Sequence, residues 1–372
     1  MAVSGEADGI LTADAKGWNR ASWKILRLGF QLLLPFLSYF YRFTALAAEM
    51  PAVDPRAGFH AWMVTRFGRS RGDRPEDRRQ PSFLSLALLD GPASKNVSMT
   101  DLTIGSGIGK LAARLYRPRS APQVAPVLIY LHFGGCVLGD LETCHTACSL
   151  LAEHSGCLIL SVAYRLAPEH RFPAAVDDVL TAFDWTQASA KSLGIDASRI
   201  AVGGDSAGGY LAVAASLCLR DNAGKMPFLQ VLIYPVVDMD RTAMPPTAFD
   251  NCYPLTRNDM IWFAEQYMRD ASDADDPRCS VARAKNLSGL PPTILVQAGN
   301  DILEAEGSAF GQRLANEGND VTTLKYPSLP HAFTAMSGGV PKARDALIEI
   351  ARTLCEHMNS PRKPEGSRHE DR

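Results

Sequence analysis

Little in this chain points to a fold held by anything other than its own hydrophobic core. Eight cysteines in 372 residues are too few for a disulfide framework. Cys157 and Cys218 fall in strand or helix cores, where a thiol behaves as a small hydrophobe. Cys144, His145 and Cys148, with Cys136 nearby, fit no common zinc spacing, so no metal is expected. Excess charge is also lacking. The 38 Lys and Arg against 40 Asp and Glu leave a net charge of -2, which excludes the basic footprint of a nucleic-acid binder. Nothing repeats internally, and no apolar run is long and unbroken enough for a transmembrane helix. Residues 105–110 resemble a phosphate loop, but that motif needs glycine where Ile104 stands and Ser or Thr where Leu111 stands. The stretch reads instead as a hairpin turn between strands at 100–104 and 111–116. Hydrophobic content of 46% and charged content of 21% are those of an ordinary globular protein. The length allows one large α/β domain plus additions.

The most informative stretch is Gly203-Gly204-Asp205-Ser206-Ala207-Gly208-Gly209. Residues 199–202 before it read as a buried strand, and residues 210–219 after it as a helix. A strand, Gly-x-Ser-x-Gly and a helix make a nucleophile elbow. The glycines let strand and helix approach closely, and Ser206 is pushed into a strained, exposed position at a helix N-terminus, where the dipole favours developing negative charge. A second loop follows the apolar strand 127–131: His132-Phe133-Gly134-Gly135-Cys136. Glycine there lets bare backbone N–H groups face a reacting carbonyl, which makes Gly134, Gly135 and Ala207 the candidate oxyanion donors. Without Ser206 the same residues would read as an ordinary βα loop.

An acid and then a histidine should follow the serine. Asp301 comes after the apolar strand 293–296, and His331 after the next strand, 321–326. Both lie past the carboxyl ends of strands, where open α/β sheets place their sites. His331 is the only histidine between Ser206 and the last helix. Asp238 and Asp240 are rival acids, and Asp301 is preferred because its strand immediately precedes the histidine strand. Alternation from about residue 111 onward predicts a mostly parallel sheet with helices on both faces. The helices are expected at 142–154, 174–193, 206–220, 257–268, 304–317 and 342–358.

Together these residues resemble the hormone-sensitive-lipase-like carboxylesterase branch of the α/β-hydrolases. The resemblance covers about residues 98–358 and extends to Gly139-Asp140-Leu141-Glu142-Thr143, Tyr164-Arg165-Leu166-Ala167-Pro168-Glu169-His170, Tyr234-Pro235 and Leu287-Ser288-Gly289-Leu290-Pro291-Pro292. It implies an α/β-hydrolase fold with an N-terminal helical lid. It carries Ser206, Asp301 and His331 over as a catalytic triad and Gly134, Gly135 and Ala207 as the oxyanion hole. The implied activity is hydrolysis of short- to medium-chain carboxylic esters of small molecules through an acyl-enzyme, with no cofactor. Acyltransferase or amidase chemistry on the same acyl-enzyme is the alternative, as is a non-catalytic receptor on the same scaffold. The presence of His331 counts against a receptor. The chain departs from the family pattern at Phe133, where glycine is usual, and at Cys136, where a large aromatic is usual. These two, with Asp205 and Tyr210, are the candidate substrate-pocket residues. The family also commonly has proline where Ile302 follows Asp301.

The chain divides into an extension at 1–50, a helical lid at 51–97, the catalytic domain at 98–358 and a disordered tail at 359–372. Within the extension Arg20, Lys24, Arg27, Gln31, Ser38 and Arg42 recur at steps of three, four or seven, and nearly everything between them is apolar. This predicts a helix with a narrow basic stripe and a wide apolar face, kinked at Pro35. Such a helix could lie on a membrane surface through residues 20–43, pack on the lid, or act as a signal or anchor. The expected location is cytoplasmic, peripheral to a membrane. Export or anchoring through the N-terminal segment is the alternative, and a homodimer is a further expected partner.

Overall fold

The structure, a computed structural model, describes residues 20–50, 52–67, 72, 74–106, 109–242, 244–251 and 253–360. Four helices come first: α1 (Arg20–Tyr41), α2 (Ala45–Glu49), α3 (Pro55–Phe67) and α4 (Pro75–Ala87). An antiparallel hairpin follows, β1 (Val97–Ser106) and β2 (Gly109–Pro118), with Ser106 opposite Gly109. The turn is where it was expected, although Gly107 and Ile108 lie outside the described residues. Strands and helices then alternate: β3 (Ala125–Leu131), α5 (His145–Ser155), β4 (Leu158–Val162), α6 (Ala174–Leu193), β5 (Ile195–Asp205), α7 (Ala207–Asp221), β6 (Gln230–Ile233), α8 (Arg257–Tyr267), β7 (Thr293–Asn300), α9 (Glu304–Asn316), β8 (Val321–Pro330) and α10 (Pro341–Asn359).

All eight strands join one sheet in the order β1-β2-β4-β3-β5-β6-β7-β8. It is parallel from β4 through β8, with β1 and β2 antiparallel at one edge. Every residue of β3 is buried, as a central strand covered on both faces requires. Alternate side chains feed different cores. Val127, Ile129 and Leu131 join the core that includes residues of α6 and α7, whereas Leu128 and Tyr130 join the one that includes α5 and α10. The chain runs from β3 outward to β4 and then returns to β5 on the other side of β3. The carboxyl ends of β3 and β5 therefore flank a point where the strand order reverses, and such points open crevices for ligands.

Two helices begin later than their sequence suggests. Asp140 Oδ1 accepts the N–H groups of Glu142 and Thr143 at 2.9 and 3.0 Å. That turn delays α5 to His145. The α7 helix starts at Ala207 because Ser206 has φ 55°. At the C-terminus α10 runs to Asn359, and the expected tail lies, from residue 361, outside the described residues.

The α1 helix runs on through Pro35, with one side packed on the protein and its apolar stripe exposed. Of the polar positions, Gln31 and Ser38 face the protein, whereas Lys24 and Arg42 are exposed. Gln31 Nε2 donates to the carbonyls of Leu88 and Asp90 at 3.0 and 2.8 Å, and Ser38 is buried. Leu34 and Tyr41 are buried on the same side. The apolar face points out, and the side chains of Arg20 and Trp23 lie outside the described residues.

Candidate active site

The loops after β3, β5, β7 and β8 bring Gly134, Ser206, Asp301 and His331 together. A tight β5–α7 crossing is possible because a Cβ at Gly204 or Gly208 would run into the Leu131 carbonyl of β3. The elbow is strained. Ser206 has φ 55° and ψ -114°, a combination that non-glycine residues rarely adopt. Its N–H donates to Ile233 O at 2.8 Å, which ties the elbow to the end of β6. Tyr234 at φ 35°, Ala332 at φ 55° and Cys136 at φ 60° are strained in the same way on the neighbouring loops.

Ser206 Oγ lies 3.0 Å from His331 Nε2, and His331 Nδ1 lies 2.6 Å from Asp301 Oδ2. An ionised carboxylate can only accept, so Nδ1 carries the ring proton and Nε2 presents its lone pair to the hydroxyl. Asp301 is held in turn by the Leu303 N–H, which donates to Oδ1 at 2.9 Å. All three side chains are buried. The rival acids are elsewhere: Asp238 and Asp240 pair with Arg283 at 3.2 and 2.8 Å.

Gly134 and Gly135 have φ 126° and 63°. A side chain at 135 would also strike the Phe263 ring, and one at 134 the Leu138 carbonyl. The loop therefore needs glycine both for its backbone and for space. Ala207 opens α7, where the first N–H groups have no partner within the helix.

Gly134, Gly135, Ser206 and His331 border one cleft. Its wall is apolar and mostly built by segments distant in sequence: Leu86 of α4, Met239, Tyr253 and Leu255 after β6, and Met260 and Phe263 of α8. Sequence reading missed these residues because no local pattern marks them. Of the four expected pocket residues, Phe133 lines the cleft and the other three do not. Cys136 turns away into the core through its positive φ and is fully buried, with burial pushing its thiol upward in pKa. Tyr210 points under the elbow, where its hydroxyl meets Tyr267 at 3.0 Å and the Arg278 carbonyl at 2.8 Å.

Asp205 also lies beneath the site. Tyr234 donates to Oδ2 at 3.1 Å and Thr334 at 2.6 Å, and burial raises its pKa. The Tyr234 ring lies 4.7 Å from the His331 ring at a tilt of 53°, and Thr334 is three residues past His331. The Asp205 carboxylate thus joins the elbow to the histidine loop from behind. Cys144 and His145 are accounted for as well. The Cys144 thiol lies 3.6 Å from Asp205 Oδ1, and His145 Nδ1 lies 2.9 Å from the Tyr116 hydroxyl.

Residues 128–335 match a family described as having the alpha/beta hydrolase fold. The carboxylic ester hydrolase LipN of Mycobacterium tuberculosis is 40% identical over 266 residues, which is 69% of this chain and 70% of that protein. An ethyl acetate hydrolase of Pseudomonas putida is 36% identical over 317 residues, 84% of this chain and 98% of that one. Among solved structures, an alpha/beta hydrolase enzyme from the metagenome of Lake Arreo, Spain, is 35% identical, with a TM-score of 0.76 over 80% of this chain and 95% of that one.

Proposed function

The chain belongs to the α/β-hydrolases, in their hormone-sensitive-lipase-like carboxylesterase branch, and from this we propose that it hydrolyses carboxylic esters through an acyl-enzyme on Ser206. One observation carries the residue assignment: Asp301, His331 and Ser206 form a continuous relay at 2.6 and 3.0 Å on the border of an apolar cleft. His331 Nε2 takes the hydroxyl proton as Ser206 Oγ attacks the ester carbonyl. Asp301 keeps the proton on Nδ1 and stabilises the imidazolium. The N–H groups of Gly134, Gly135 and Ala207 receive the oxyanion. Collapse returns the proton from His331 to the departing alcohol, and water activated by the same ring then releases the acid.

The cleft suits short- to medium-chain esters, since its apolar wall, with Leu86, Met239, Leu255 and Phe263, can take a hydrocarbon chain beside Ser206. Residues 51–97 form its lid in this reading, supported by Leu86 in the wall, and residues 98–358 form the catalytic domain. The seven described cysteines, Cys136 to Cys355, are all unpaired, which supports a reducing, cytoplasmic location. Among the described residues no helix is long and apolar enough to cross a membrane. Peripheral contact through residues 20–43 is part of the same reading. A fluorophosphonate probe tests the assignment. It should label the wild type and fail to label Ser206→Ala, which should also lose turnover of p-nitrophenyl esters by several orders of magnitude. Labelling that persists in the variant would remove Ser206 from the role.

A further inference from the structure

The α1 helix is amphipathic in the wrong sense for a protein surrounded by water. Ile25, Leu28, Leu32, Phe36 and Tyr39 recur at steps of three or four, and Phe43 continues the line just past the helix end. Residues so spaced lie along one face. That face is exposed, with Ile25 at 72%, Leu32 at 79%, Phe36 at 67% and Phe43 at 73% of full accessibility. The opposite side carries Gln31, whose amide donates to two backbone carbonyls between α4 and β1. Turning the helix to bury its apolar stripe would break both bonds and move Leu34 and Tyr41 out of the core. The outward orientation is therefore specified by the contacts on the inner side, and so large an apolar patch marks a surface meant to be covered.

The charges say by what. Residues 20–48 hold Arg20, Lys24, Arg27 and Arg42 and no Asp or Glu. Lys24 and Arg42 are exposed at the two ends of the stripe, about 27 Å apart along the axis at the helical rise. A second copy laid on this stripe, parallel or antiparallel, would set like charges against like, and residues 20–48 supply no acid to relieve them. An anionic lipid surface has no such conflict. The apolar side chains enter the acyl boundary, while the basic stems lie along it and their heads reach the lipid headgroups.

The inner side leads to the cleft. The Phe30 ring lies 6.4 Å from His60, and His60 lies 5.5 Å from Tyr253, which lines the cleft. Leu88, whose carbonyl anchors Gln31, is two residues past Leu86 in the cleft wall. We propose that α1 lies flat on an anionic lipid surface by its outward apolar stripe and holds the cleft beside that surface, so that esters dissolved in the lipid are hydrolysed in preference to the same esters in water. The preference for lipid-borne substrate rests on the esterase reading; the docking does not.

The full-length protein should float with vesicles of phosphatidylcholine and phosphatidylserine at low salt, and less with phosphatidylcholine alone or at high salt. The variant L32E/F36E changes two outward side chains and should keep its circular dichroism and its turnover of water-soluble p-nitrophenyl acetate. Its vesicle-bound fraction should fall roughly tenfold or more, and turnover of a medium-chain p-nitrophenyl ester carried in the vesicles should fall with it. Wild-type protein that never floats would overturn the proposal. So would flotation that the double variant leaves intact, or a dimer in sedimentation that the double variant dissociates, since a second copy would then be the occupant. If the wild type floats but turns over neither ester, the esterase reading fails and the docking stands.

Discussion

Replacing Asp301 by asparagine tests the proposed relay where the structure constrains it most. Oδ1 accepts the Leu303 N–H at 2.9 Å, and Oδ2 faces His331 Nδ1 at 2.6 Å. The Leu303 N–H can only donate, so the new amide keeps its oxygen there and turns its NH2 toward Nδ1. Nδ1 must then be the bare nitrogen, and the ring proton moves to Nε2. At 3.0 Å from Ser206 Oγ, Nε2 can no longer accept the hydroxyl proton. Turning the amide over to restore the tautomer leaves the buried Leu303 N–H facing a donor, which costs about 1–3 kcal/mol. The lost carboxylate also removes a charge-assisted bond to the imidazolium, about 1.5–3 kcal/mol. Together these come to about 2.5–6 kcal/mol, or roughly 10²- to 10⁴-fold in kcat, the upper end being the loss expected of a triad locked in the wrong tautomer. Steady-state hydrolysis of p-nitrophenyl butyrate reads the effect, and a thermal melt shows that the fold survives. Asp238→Asn and Asp240→Asn should stay near wild type, because both carboxylates are engaged with Arg283. Near-normal turnover in Asp301→Asn, or a dead Asp238→Asn, would refute the assignment.

Phe133 and Cys136 should respond differently. Phe133→Ala opens the cleft and should move acyl-chain selectivity by about ten- to two-hundred-fold across a p-nitrophenyl ester series. Cys136→Phe overfills a closed core and should instead cost about 1–3 kcal/mol of stability, seen as a lower denaturation midpoint. A shifted ester profile with an unchanged midpoint would put Cys136 back in the pocket. Asp205→Ala removes the acceptor shared by Tyr234 and Thr334; the two hydroxyls, 2.6 Å apart, can still pair with each other, so one donor is stranded at about 1–3 kcal/mol, and kcat should fall with the histidine loop loosened. Asp205→Asn, which can still accept, should recover most of both losses, and an inactive but stable Asn variant would show that the charge itself is needed. Asp90 is fully buried, and burial raises its pKa to about 6 despite the bonds it accepts from Gly91 and Ser337. The unfolded value is about 3.9, so the folded state binds this proton more tightly. The resulting stabilisation is full below about pH 4 and is lost as pH rises through about 6. Asp90→Asn should therefore raise the melting temperature above pH 6, by at most about 3 kcal/mol in free energy, and flatten the difference from wild type below it. A variant equally less stable at every pH would contradict this.

The parts of the site governed by short-range sterics are legible in the sequence. The elbow is legible because only small residues fit where α7 crosses back over β5 against the Leu131 carbonyl. The positions of the strands along the chain are legible because a strand buried on both faces, such as β3, must be apolar throughout. In a parallel sheet of alternating strands and helices, the loops carrying Asp301 and His331 then fall at one end. Tertiary structure alone decided what lines the space above them. Whether Phe133 or Cys136 faces the cleft depends on the signs of φ at three consecutive residues, 134 to 136, and composition does not encode those signs. The opposite wall comes from Leu86, Tyr253 and Phe263, which only the packing of distant segments brings near Ser206. The same holds for α1. Its period gave the helix and the stripe, but a helix with polar and apolar sides can be laid down either way. Its direction was set by two carbonyls 57 and 59 residues away from Gln31, because a half-buried amide must find its partners wherever the fold supplies them.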